Sequence, residues 1–139
     1  MNDVIVDTSV WVAYFRGRKE DRMTAEALDY LLAGDEALVN DVILSELLPL
    51  MIVRGEKRCA DALSAVRSPA LAIDWADIRV LQETCLRNGI NKVGIPDLII
   101  AQQAMALGLP LFSLDGHFVL MSKYCGLKLW PRNADTKRK

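Results

Sequence analysis

The sequence predicts an α/β protein with three layers, an open parallel sheet of four or five strands covered by helices on both faces. Short apolar runs recur at Val4-Ile5-Val6, Ala37-Leu38-Val39, Leu71-Ala72-Ile73, Leu111-Phe112-Ser113 and Leu127 to Leu129. Such runs mark strands buried on both faces, because no alternate residue is kept polar for water. Between them lie segments whose apolar residues recur at helical spacing, so strands alternate with helices or helix pairs. These connections are too few for an eight-stranded barrel, and an open sheet remains.

Each element has a local reason. Val4-Ile5-Val6 reads as a central strand, and Thr8 and Ser9 favour a helix start near Val10. Asp21 to Ala33 carries Met23, Ala27, Tyr30 and Leu31 at helical spacing, with Gly34 as a C′ residue that accepts positive φ. Asn40 or Asp41 can cap the next helix, Val42 to Val53, which is apolar nearly all round. Pro49 removes the N–H that would bond to the Ser45 carbonyl, so a kink or break is expected near Ser45. Glu56 to Arg67 places Cys59, Ala60, Leu63 and Val66 on one helical face, and Ser68-Pro69 stops it. Asp74 suits the N-cap of a helix running through Ile78, Leu81 and Cys85 to Gly89, and Asn91 to Gly94 reads as loop. Pro96-Asp97 opens a helix from Leu98 to Leu107 that Gly108 ends, and a short helix is expected near Phe118 to Tyr124.

A chain of 139 residues without repeat, low-complexity stretch or linker is expected to form one domain, residues 1–131, followed by a polar, frayed tail at 132–139. Hydrophobic residues make up 52% and charged residues 25%, which excludes the composition of a disordered chain. Cys59, Cys85 and Cys125 are odd in number and form no Cys-x-x-Cys pattern, which disfavours a disulfide framework or a structural zinc site. No apolar stretch approaches a membrane span and Met1-Asn2-Asp3 carries no positive leader, so a cytoplasmic protein without a membrane partner is expected. The net charge of −1 is low for a nucleic-acid binder, but Arg16-Gly17-Arg18-Lys19 and Lys137-Arg138-Lys139 are local positive clusters.

Most of the eighteen acids have ordinary roles as helix caps or solvated charges. Four stand apart. Asp7 ends the first strand and Asp115 follows Leu111-Phe112-Ser113-Leu114, so both emerge at the sheet edge where open α/β folds bind ligands. Glu46 is flanked by Val42, Ile43, Leu44, Leu47, Leu48 and Leu50, a context where an unpaired carboxylate is costly. Asp97 follows Pro96 at a helix start, where capping is the competing explanation. Carboxylates brought together repel by about 4 kcal/mol per pair at about 4 Å and an effective dielectric near 20, so a cluster calls for a cation. Oxygen donors suit Mg²⁺ or Mn²⁺. The single histidine, His117, excludes chemistry that needs two imidazoles, and is expected to be a loop residue or phosphate contact. No Gly-x-Ser-x-Gly elbow and no glycine-rich phosphate loop is present.

Four segments in order, Val4-Ile5-Val6-Asp7-Thr8-Ser9-Val10-Trp11, Ser45-Glu46-Leu47-Leu48, Ile95-Pro96-Asp97-Leu98-Ile99-Ile100-Ala101 and Leu111-Phe112-Ser113-Leu114-Asp115-Gly116-His117-Phe118, resemble the PIN domain. Within it they resemble the VapC-type ribonuclease toxins of toxin–antitoxin pairs. The resemblance spans nearly the whole chain and implies a PIN-like fold with Asp7, Glu46, Asp97 and Asp115 as catalytic metal ligands, and Ser9 and Ser113 as supporting hydroxyls. Many relatives carry a further acid where this chain has His117. The resemblance further implies endonucleolytic cleavage of RNA, often tRNA or rRNA, a homodimer, and an antitoxin partner.

The sequence-level reading is therefore a Mg²⁺- or Mn²⁺-dependent endoribonuclease that uses metal-activated water, with Arg16, Arg18 and Lys19 contacting the RNA backbone. The competing readings are a non-catalytic module of the same fold that binds a protein through its apolar helices, and a metal-dependent phosphatase. One large phosphatase class has an Asp where this chain has Ser9.

Overall fold

The computed structural model describes residues 2–131; the expected tail and the Lys137-Arg138-Lys139 cluster lie outside them. The chain runs β1 (Val4–Val6), α1 (Thr8–Arg16), a 3₁₀ turn (Lys19–Asp21), α2 (Arg22–Ala33), β2 (Ala37–Leu38), α3 (Asp41–Val53), α4 (Lys57–Ser64), α5 (Trp75–Arg87), α6 (Ile95–Leu107), β3 (Leu111–Phe112) and α7 (Gly116–Cys125). The sheet is parallel, in the order β2-β1-β3. Val4 and Ile5 pair with Ala37 and Leu38 on one side of β1, while Ile5 and Val6 pair with Leu111 and Phe112 on the other.

β1 is central because it is apolar throughout: Val4, Ile5 and Val6 are at most 1% exposed. Leu28 and Leu31 of α2, Ile43 and Leu47 of α3, Leu98, Ile100 and Ala101 of α6 and Phe118 of α7 join it in one core. The chain leaves β1 for β2 on one side and later returns to β3 on the other. The C-terminal ends of β1 and β3 thus flank a switch point, the place where such sheets bind ligands.

The α/β class and the parallel sheet match the sequence expectation, but the sheet is shorter than four or five full strands. Among the described residues three strands form, and two further segments contribute one bridge each, Arg67 beside Leu38 and Leu129 beside Leu111. The expected strand Leu71-Ala72-Ile73 does not form. Two buried glutamines of α6 take the backbone groups of its neighbourhood instead. Gln103 Nε2 donates to the carbonyls of Pro69 and Ala70 at 3.2 and 3.4 Å, and Gln102 accepts from the Asp74 N–H at 3.2 Å and donates to the Asp74 carbonyl at 2.9 Å. Side-chain amides thereby replace a sheet ladder.

Other local differences have equally plain reasons. Gly34 sits at φ −89, and it is Asp35 that takes the left-handed conformation at φ 53. Aspartate tolerates that region better than most residues. α3 is not broken at Ser45 but runs through Pro49 to Val53; Ser45 and Pro49 are both exposed, so water can serve the carbonyl that the proline leaves unbonded. α4 ends at Ser64, short of Arg67, because Val66 and Arg67 turn away to meet β2, where the Val39 N–H donates to the Arg67 carbonyl at 3.0 Å.

Asn40 joins the two halves of this architecture. It is fully buried, its Oδ1 caps α3 by accepting from the Ile43 N–H at 3.0 Å, and its Nδ2 donates to Gln103 Oε1 at 2.9 Å. Replacement Asn40→Ala removes a cap and leaves a buried amide oxygen unpaired, so a loss of about 2–3 kcal/mol is expected in urea unfolding. Asn40→Asp keeps the cap but sets a buried carboxylate against Gln103 Oε1, and it should lose at least as much. A loss below about 0.5 kcal/mol for the alanine variant would show that the buried pair contributes nothing net.

Candidate metal centre

Asp7 is the most deeply buried of the four acids, held where β1 ends. Its backbone N–H donates to the Phe112 carbonyl at 2.9 Å, so the β1–β3 ladder positions the residue itself. It is only 5% exposed and serves as the N-cap of α1. Three donors converge on its Oδ2: Ser9 N at 3.3 Å, Ser9 Oγ at 2.8 Å and Ser113 Oγ at 2.8 Å. These bonds aim the carboxylate and leave Oδ1 clear of them.

The two hydroxyls tie β1 to the loop after β3. Ser9 Oγ lies 3.3 Å from Ser113 Oγ and accepts from the Leu114 N–H at 3.0 Å, while Ser113 Oγ accepts from the Asp115 N–H at 3.0 Å. Asp115 in turn caps α7, its Oδ1 accepting from the His117 N–H at 2.9 Å. Asp97 lies in the first turn of α6, after Pro96, with Gly94 as N-cap. Asp7 and Asp115 thus both cap helices, and capping does not compete with a second role, because a carboxylate has a second oxygen.

Glu46 differs from its expected setting. It lies on the exposed side of α3, with Ile43, Leu47 and Met51 turned to the core, so its apolar sequence neighbours do not bury it. Its Oε1 accepts from Thr8 Oγ1 at 2.6 Å, which brings it beside the residue that follows Asp7. Thr8 was missed in the sequence, where it reads only as a helix-start residue.

The electrostatics join the four acids. Burial pushes the Asp97 carboxyl above its ordinary range, a backbone hydrogen bond from Gly94 pulls it back, and the charges of Asp115, Asp7 and Glu46 each raise it further. Among the described residues no Lys or Arg pairs with any of the four. Asp97, Asp115 and His117 form the tightest group, with one potential ligand atom from each within 4.8 Å of the others. Asp7 and Glu46 border this trio, each drawn to hydroxyl donors. Negative charge gathered without a neutralising side chain fits a divalent cation, and oxygen donors with one imidazole suit such an ion. The thiols play no part in it: Cys85 is buried, and burial together with the neighbouring Cys125 thiol raises its pKa to about 11.

Arg16, Arg18 and Lys19 are not brought to the acids. α1 starts at the acids with Thr8 and carries Arg16 at its other end, about 12 Å away at 1.5 Å per residue. Arg16 pairs with Asp21 at 2.9 Å, and Arg18 and Lys19 are exposed. Lys92, exposed in the loop that enters α6, is the basic residue nearest Asp97 along the chain. A cleft of about 680 Å³ lies at the opposite end of the strands, lined by Asp3, Glu36, Pro110 and Lys128 among others. At the other end Glu46 is exposed and Asp97 and Asp115 are partly exposed, so the acids can be reached from solvent.

The raised Asp97 carboxyl has a signed consequence. A carboxyl whose folded pKa lies above its unfolded value opposes folding once ionised; the penalty grows as pH rises through the ordinary carboxylate range and is absent below it. In EDTA, Asp97→Asn should therefore melt higher than wild type at pH 7, with the difference closing below about pH 3.5. Saturating divalent ion should favour wild type instead. A variant that melts lower in EDTA at pH 7 would contradict the repulsion described here.

The fold agrees with known proteins. The PIN domain family model matches residues 4–124. Among solved structures, VapBC2 from Rickettsia felis, bound to a DNA fragment from its promoter, superposes with a TM-score of 0.70 at 16% identity, covering 91% of this chain and 96% of that one. A toxin–antitoxin complex from Klebsiella pneumoniae gives a TM-score of 0.64 at 22% identity, with 82% and 88% covered. The sarcin–ricin loop cleaving toxin VapC20 of Mycobacterium tuberculosis gives 0.59 at 20% identity, with 85% and 94% covered. With a family match over most of its length and the same fold in these neighbours, the chain belongs to the PIN domain family.

Proposed function

We propose that this protein is a divalent-metal-dependent endoribonuclease, the toxin of a toxin–antitoxin pair. The observation that carries the reading is the grouping of Asp7, Glu46, Asp97 and Asp115 at the C-terminal edge of the sheet, with no Lys or Arg paired to any of them among the described residues. Membership of the PIN family and likeness to VapBC structures support it. RNA is favoured as substrate by likeness to VapC20, a toxin that cleaves the sarcin–ricin loop.

In this reading Asp7, Asp97 and Asp115 hold Mg²⁺ or Mn²⁺, with Glu46 at the border of the site. When bound, the ion supplies Lewis acidity at the scissile phosphate and makes hydroxide available near neutral pH, which gives 5′-phosphate and 3′-hydroxyl ends. Ser9 and Ser113 fix the Asp7 carboxylate, so its free oxygen needs no reorganisation when charge develops. Thr8 does the same for Glu46. Lys92 lies along the chain near Asp97, and Arg16, Arg18 and Lys19 would meet RNA farther along its backbone, adding salt-dependent affinity without sequence information.

The same likeness supports an antitoxin partner, and the family resemblance adds a homodimer. Met23, Tyr30, Ile52 and Val53 are 79%, 69%, 67% and 85% exposed, an excess of apolar surface that a protein partner would cover. That surface also favours a second reading, a non-catalytic binding module. Among the described residues no helix is long and apolar enough to cross a membrane.

Asp7→Asn keeps an acceptor for the α1 cap but removes a ligand charge, so the protein should fold while cleavage falls about 100-fold or more. Sequencing of RNA ends after induction of wild type and Asp7→Asn tests this and identifies the target. EDTA should abolish cleavage and Mg²⁺ or Mn²⁺ should restore it. Cleavage that survives both treatments rejects the reading, and an inert wild type on all cellular RNA favours the binding module.

A further inference from the structure

We propose that His117 is a nitrogen ligand of the divalent ion in the acidic cluster, and that it biases the site toward a first-row transition ion, Mn²⁺, over Mg²⁺. The inference rests on the cluster being a metal site, and it gives a role to a residue that the four-acid reading leaves out.

The ring lies against the acids in an arrangement that lacks a component. His117 Nδ1 is buried and has no hydrogen-bond partner, yet it lies 3.0 Å from Asp115 Oδ1. Two atoms bearing lone pairs repel at that separation unless a proton or a cation lies between them. The ring and the carboxylate form no aligned hydrogen bond, and Oδ1 already accepts the His117 backbone N–H at 2.9 Å. A shared cation satisfies both atoms. Neighbouring ligands of an octahedral ion with bonds of about 2.1 Å sit about 3.0 Å apart. Asp97 completes the group from another helix, its ligand atom within 4.8 Å of the other two.

The placement follows from local structure. Asp115 caps α7, and that turn sets His117 beside its carboxylate, while the first turn of α6 delivers Asp97. Substituting the ring keeps the cap, because the cap uses the backbone N–H of residue 117. Imidazole nitrogen is a poor donor for Mg²⁺, which prefers oxygen and retains its waters, whereas transition ions accept nitrogen and oxygen together.

The test uses the full chain and the metals alone. Mn²⁺ and Mg²⁺ are titrated into wild type, His117→Ala, His117→Asp and Asp97→Asn by calorimetry, and the Mn²⁺-loaded proteins are examined by pulsed EPR for ¹⁴N coupling. Wild type should show directly bonded nitrogen. His117→Ala should lose that signal and about 10-fold in Mn²⁺ affinity, with Mg²⁺ affinity little changed. His117→Asp should recover affinity without the nitrogen signal and narrow the gap between the ions. No ¹⁴N coupling in wild type overturns the proposal. So does a His117→Ala variant that tightens both ions alike, the result of removing an imidazolium paired with Asp115. If Asp97→Asn abolishes binding while the His117 variants match wild type, the metal-site reading stands and the ligand role of His117 falls. If wild type binds neither ion, both fall together.

Discussion

The parallel pairing of β1 with β3 is the constraint on which the acidic edge depends. Ile5 faces Leu111 and Val6 faces Phe112 in that register, and the ladder ends with the Asp7 N–H on the Phe112 carbonyl. Only then do residues 7 and 113, far apart in the chain, come within a hydrogen bond of each other. A slip of one residue would move Ser113 by about 3.3 Å and turn it to the other face of the sheet. The register is secured by burial, since Val4, Ile5, Val6, Leu111 and Phe112 all sit in the core and any shift would exchange apolar for polar contacts.

On that frame the chain gathers charge that no lysine or arginine among its described residues neutralises. Serine hydroxyls hold one oxygen of Asp7, and a threonine hydroxyl holds Glu46. These bonds orient the carboxylates and soften repulsion without cancelling it, which is why Asp97 remains hard to ionise. Stability is given up at the point where a cation would be gained, the usual signature of a functional site rather than a structural one.

The opposite treatment is seen around the buried amides. Asn40, Gln102 and Gln103 lie in the core and are bonded to backbone, to a carboxylate or to one another. They fasten the segment between α4 and α5, which lacks a strand of its own, to α6. Buried polar groups here are satisfied and structural; the acids at the sheet edge are oriented and left charged. The contrast separates scaffold from site within a single core.

Local pattern was enough to indicate the α/β class, the central strand and the caps at Asn40 and Asp74, because strand burial and helix capping depend on near neighbours. It was enough as well to single out the four acids. It could not show that Glu46 is exposed, since an apolar helix hides which face meets solvent, nor that residues 71 to 73 would surrender their ladder to glutamines some thirty positions away. It could mark Arg16, Arg18 and Lys19 as a basic cluster but not how far from the acids they lie, which the length of α1 decides. The place of His117 beside Asp97 and Asp115 was likewise invisible, because it arises where the first turns of two helices meet, and such meetings are decided by how the helices pack on the sheet.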